Sequence, residues 1–129
     1  MSQSHANLTT TTLAGTMRPI DIAMARIAEL DLAPVSEKLR TSDPERWSTE
    51  SVRDVEEKYR RFLAIHLVHP GETFVPNKIL DEYWHQHILD THRYAQHCDE
   101  LFGSMLHHDP YFGLRDAAEL KANGAAFQH

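Results

Sequence analysis

"KILDEYWHQHILDTHRYAQHCDELFG", residues 78–103, decides the fold. It is long enough for a substantial helix, it holds no proline, and its only glycine is the last residue. Asn77 stands before it as a good N-cap and Gly103 after it as a stop. At about 100° per residue the stretch reads as one continuous helix, Lys78–Phe102, with two faces. Trp84, Ile88, Thr91, Ala95 and Phe102 share the core side, and Glu82, Gln86, Arg93, His97 and Glu100 share the solvated side.

Helices are expected upstream too. Pro19–Leu32 opens with proline at the first turn and carries the apolar stripe Ile20, Met24, Ile27, Leu30. Pro34 interrupts that pattern, leaving "VSEKLR" as a short helical turn, and Asp-Pro breaks the chain within "TSDPERWST". A second long helix starts at a Ser48 or Thr49 cap and runs to Val68. Val52, Val55, Tyr59, Phe62 and His66 step along it by three and four, and Pro70-Gly71 ends it. After the glycine-bounded loop "GSMLHHDPYFG", a last helix is expected over Leu114–Asn123, stopped by Gly124. The fold class is all-α, a small bundle of three main helices plus a short C-terminal one. Residues 1–16, polar and without periodicity, read as a disordered tail, and residues 17–129 as a single helical domain.

Composition narrows the function classes. With 41% hydrophobic and 25% charged residues the chain is globular, and no apolar run approaches the roughly 20 residues of a bilayer span. The N-terminus lacks the pattern of a secretory signal. One cysteine excludes an internal disulfide framework and fits a cytoplasmic protein. A net charge of −6 argues against nucleic acid as a partner, since phosphates need a basic face.

The ten histidines are the compositional oddity. His85 and His87 lie about 200° apart on a regular helix and cannot both hold one ion. His85 shares a margin with Asp81, at the spacing that lets two side chains meet one ion or lets a carboxylate orient an imidazole. The loop pair His107-His108 can aim one ring back onto the long helix. Asp81, His85 and His107 or His108 would then make a two-histidine, one-carboxylate set suited to Fe(II), Cu or Zn. The plainer readings are a surface Asp–His pair and a loop fixed to helix ends. His87 points with Thr91, Tyr94 and Cys98. It reads either as a support around that site or as a buried histidine hydrogen-bonded on both nitrogens, to Thr91 or a carbonyl. Cys98 reads by default as a small core residue. His66, with His69 beside it, reads as a histidine stabilised at a helix C-terminus. No zinc spacing, phosphate loop or dinucleotide fingerprint occurs, so no nucleotide cofactor is expected.

"DLAPVSEKL", "VEEKYRRFLAIHL", "FVPNKILDEYWHQHILDTHRYAQHCDELFG" and "LHHDPYFG" together resemble the bacterial glycine-rich domain-containing-protein-like family, related to the N-terminal domain of plant glycine-rich-domain proteins. The resemblance spans roughly residues 31–127. It implies motif positions at Asp81, Trp84, His85, His87, Thr91, Tyr94, Cys98, His107, His108, Pro110 and Tyr111, and leaves His66, His69, His92 and His97 outside. Two functions stay open. One is a metalloenzyme acting on a small molecule or peptide through Asp81, His85, His107 and His108. The other is an interaction module in which the motifs are a polar and aromatic lock.

Overall fold

The computed structural model describes residues 11–12 and 15–108. A two-residue antiparallel pairing, β1 (Thr11–Thr12) with β2 (Gly15–Thr16), precedes five helices: α1 (Pro19–Ile27), α2 (Ala33–Ser42), α3 (Thr49–Val68), α4 (Lys78–Leu89) and α5 (Thr91–Phe102). The architecture is an all-α bundle. The rest of the expected N-terminal tail and the expected helix Leu114–Asn123 lie outside the described residues.

The twenty-residue α3 is the spine, packed against α1, α2 and α4. Ser48 caps it in a reciprocal box: its hydroxyl accepts from the Ser51 N–H at 3.0 Å while the Ser51 hydroxyl accepts from the Ser48 N–H at 2.9 Å. The stripe Val52, Val55, Tyr59, Phe62, His66 is buried along its whole length. Arg60 ties α3 to the first helix, donating to the Ile27 carbonyl at 2.6 Å and the Leu30 carbonyl at 3.1 Å. The Ile27 carbonyl also accepts from the Leu30 N–H at 3.0 Å, and the guanidinium adds a second donor there and supplies one to Leu30, closing the end of α1.

Three expected boundaries move. The first helix, expected to reach Leu32, ends at Ile27. "VSEKLR" belongs to a ten-residue helix, because Pro34 falls in its first turn, where a missing N–H is harmless. The long helix Lys78–Phe102 is two helices. Asp90, at φ −87° and ψ 75°, interrupts it, and its carboxylate accepts from Arg93 Nε at 2.9 Å. The break re-phases everything after residue 90. Thr91 and Ala95, expected in the core, are exposed, while His97, expected in water, is 8% exposed.

Candidate functional site

Each motif side chain among the described residues is positioned by α4, α5 or the segment that follows them; Pro110 and Tyr111 lie outside the described residues. Asn77 starts α4, its side-chain oxygen accepting from the Leu80 N–H at 2.8 Å, and this phase buries Tyr83, Trp84 and His87. The break at Asp90 then lets α5 fold against α4 with Tyr94, His97, Cys98 and Leu101 inward. Gly103, at φ 73°, takes the left-handed turn that ends α5 and sends the chain back toward α4.

Two buried chains of hydrogen bonds begin on neighbouring tyrosines, Tyr59 and Tyr83, whose rings lie 4.8 Å apart. In the first, the Tyr59 hydroxyl lies 2.7 Å from His87 Nδ1, and His87 Nε2 lies 2.9 Å from His97 Nδ1. The direction follows from accounting. If Tyr59 donates, His87 accepts at Nδ1 and donates from Nε2 to His97, and every buried proton has an acceptor. In the reverse order the Tyr59 proton would have none among the described residues. Burial pushes His87 down to about 3, with the adjacent His97 acting in the same direction. Burial also lowers His97. Both rings are therefore neutral near pH 7. In the second chain the Tyr83 hydroxyl donates to Ser36 Oγ at 2.6 Å, and Ser36 donates to the Glu56 carboxylate at 2.7 Å. Glu56 is paired with Arg60 at 2.8 Å.

A third set holds the segment after α5. The Trp84 indole N–H donates to the Tyr94 oxygen at 2.9 Å, and the Tyr94 hydroxyl donates to the Leu106 carbonyl. The Leu106 N–H meets Cys98 Sγ at 3.5 Å. Both backbone groups of Leu106 are thus taken by α5. His108 closes the set: its ring lies 4.5 Å from that of Trp84, and its Nε2 donates to Asp81 Oδ1 at 2.5 Å. Burial pushes the Cys98 thiol up and keeps it protonated, which disfavours a nucleophilic role; the bond from the Leu106 N–H opposes that shift without reversing it.

Of the four expected metal ligands, Asp81 and His108 meet. His85 is exposed, and His107, next to His108 in the chain, is exposed too. Among the described residues no group of three or more His, Cys, Asp or Glu side chains is gathered as a metal would require. Of the expected supports, Tyr94 and Cys98 serve the lock, His87 bonds Tyr59 and His97 instead of Thr91 or a carbonyl, and Thr91 is at the surface. His66 also departs from expectation. It is 4% exposed, its Nδ1 lies 3.0 Å from the Phe62 carbonyl, and burial lowers its pKa, so it is a neutral buried ring and not a charged helix terminus.

The residues missed were Tyr59, as a hydrogen-bond partner, and His97. A signal for His97 existed: once Asp90 is taken as a break, Tyr94, His97, Cys98 and Leu101 form an i, i+3, i+4, i+7 stripe.

Between the C-terminal ends of α3 and α5 and the returning segment lies a cleft of about 640 Å³, with Trp84 and His66 in its lining. Its size suits a small molecule or a short peptide stretch. A family model matches residues 24–126, which contain every element from the middle of α1 onward. The chain belongs to the UCP032817-like family. That match spans all the residues of the lock and of the cleft, and the family's description names no activity. No curated protein and no solved structure matches the chain. No described helix is long and apolar enough to cross a membrane.

Proposed function

We propose that this chain is a helical binding module, in which the motif residues are a polar and aromatic lock and the cleft beside them receives a small molecule or peptide. One observation carries the reading. The polar atoms that the lock aims inward, Trp84 Nε1, the Tyr94 hydroxyl, Cys98 Sγ and His108 Nε2, are all engaged by protein partners. The segment they fix, residues 103–107, forms one wall of the cleft. A fully paired buried network of this kind specifies a shape without any catalysis. The single cysteine supports a cytoplasmic setting. Kinship with the glycine-rich domain-containing-protein-like proteins is part of the proposal and rests on the motif residues alone.

A second reading is favoured by the Asp81–His108 pair. An imidazole bonded to a carboxylate at 2.5 Å, with His107 adjacent in sequence and His85 one turn further along α4, is the beginning of a site for Fe, Cu or Zn. It needs His85 and His107 to swing inward on binding.

Elemental analysis of tag-free protein, with His85→Ala and His108→Ala alongside, separates the two. On the binding-module reading His108→Ala lowers the melting temperature by several degrees, His85→Ala leaves it within about a degree, and added Fe(II), Cu(II) or Zn(II) is not retained. Near-stoichiometric metal that is lost in both variants would overturn that reading in favour of the metal site.

A further inference from the structure

One residue of the cleft lining, His66, has a ring nitrogen that the lock does not use. His66 is more than nine-tenths buried and lines the cavity. A carbonyl oxygen only accepts, so the bond to Phe62 O requires the proton on His66 Nδ1. In the neutral ring Nε2 is then a bare acceptor, and it has no hydrogen-bond partner among the described residues. The ring is held edge-on between Phe62, at 4.6 Å, and Phe74, at 5.0 Å, and so cannot turn away freely. An acceptor fixed in apolar surroundings rewards a ligand that brings a donor and penalises one that brings another acceptor.

The electrostatics narrow the donor further. Both α3 and α5 end at this cleft, and helix C-termini carry partial negative charge. Glu72, Asp99 and Glu100 stand on its rim. Arg26 is the one fixed cation among the lining residues, and its guanidinium is already committed to the Glu100 carbonyl at 3.0 Å. Trp84 offers an aromatic wall, and Leu101 and Leu106 offer apolar ones.

We propose that the cleft binds a small protonated organic amine with an apolar body, the ammonium donating to His66 Nε2 under the negative field of the two helix ends while the body packs between Trp84 and Leu106. This deepens the binding-module reading and rests on it.

The test uses three probes of one shape, 2-phenylethylamine, 2-phenylethanol and 3-phenylpropionate, titrated into the full chain and followed by amide chemical shifts and calorimetry. The amine is expected to bind tightest, the alcohol at least several-fold weaker, and the carboxylate weakest, with shifts centred on residues 66, 84 and 101–107. His66→Phe is expected to weaken the amine at least fivefold. Should that variant fail to fold, the surface double variant Asp99→Asn with Glu100→Gln is expected to weaken the amine several-fold and leave the alcohol unchanged. Carboxylate binding as tight as amine binding, or amine binding unchanged in both variants, overturns the inference. If the alcohol or carboxylate shifts the cleft residues and the amine does not, the amine inference falls and the binding module stands. If none of the three shifts them up to 10 mM, a ceiling typical of fragment-sized ligands at about 3 kcal/mol, both fall.

Discussion

Tyr59 and Tyr83 lie side by side in the centre of the bundle, their rings tilted by 40°, yet their hydroxyls lead to opposite solutions of one problem. The chain from Tyr83 passes through Ser36 to a carboxylate and a guanidinium, which lie where Glu56 and Arg60 reach partial solvent. The chain from Tyr59 passes through two imidazoles and carries no charge at all. A buried polar group needs a partner, but a buried charge needs a partner and a field that replaces water. Glu56 and Arg60 are half-wet and have each other. His87 is in contact with neither water nor a counter-ion, and it stays neutral.

The comparison breaks hardest at His87. His87→Ala would strand the Tyr59 hydroxyl and His97 Nδ1 and leave a cavity, costing about 3–5 kcal/mol in urea unfolding. A loss under about 1 kcal/mol would mean that the imidazole chain is not a support. On the charged side, Arg60→Ala removes the carbonyl cap of α1 and the partner of Glu56, for about 2–3 kcal/mol by the same measurement. Acid sharpens the contrast. His87 binds its proton near 6.5 when unfolded and near 3 when folded, so the unfolded chain holds more protons between those values. Stability is therefore full above pH 6.5 and falls as the pH drops toward 3, by about 1.4 kcal/mol per pH unit from His87 alone. Thermal melts from pH 7 to pH 4 measure this, and His87→Gln, which keeps a donor and an acceptor but does not titrate there, should flatten the slope. The smallest effect compares the tyrosines. Tyr59→Phe leaves a buried ring nitrogen unpaired and should cost about 2 kcal/mol, whereas Tyr83→Phe leaves Ser36 still bonded to Glu56 and should cost about 1 kcal/mol. Equal losses would erase the distinction.

The helices themselves were legible in the sequence because their signals are local. Ser48 and Asn77 announce α3 and α4, and the α3 stripe is buried as its spacing requires. What the sequence hid was one residue. Leu89-Asp90-Thr91 holds neither glycine nor proline, and Asp90 stops α4 through its backbone angles and its contact with Arg93, which spacing does not reveal. Reading through it placed His97 in water and Thr91 in the core. The lock was legible in part: Trp84, Tyr94, Cys98 and His108 were singled out, as was Asp81 on α4. Their pairing depends on where Gly103 sends the chain, and that is a tertiary fact. His66 as a cleft residue was not legible, because its surroundings are assembled from the connector at Phe74, from α4 at Trp84 and from the α5 end of the cleft.

The elbow at Asp90 also sets which length changes this chain can survive. Everything after it is registered by rotation about α5, at about 100° per residue. One residue gained or lost between Asp90 and Tyr94 would swing Tyr94, His97, Cys98 and Leu101 out of the bundle together, taking the hold on Leu106 with them. A substitution there can be absorbed locally, but an insertion or deletion cannot. The connector between α3 and α4 has no helical phase to keep, and its constraint is local, in the seat of Phe74 against His66.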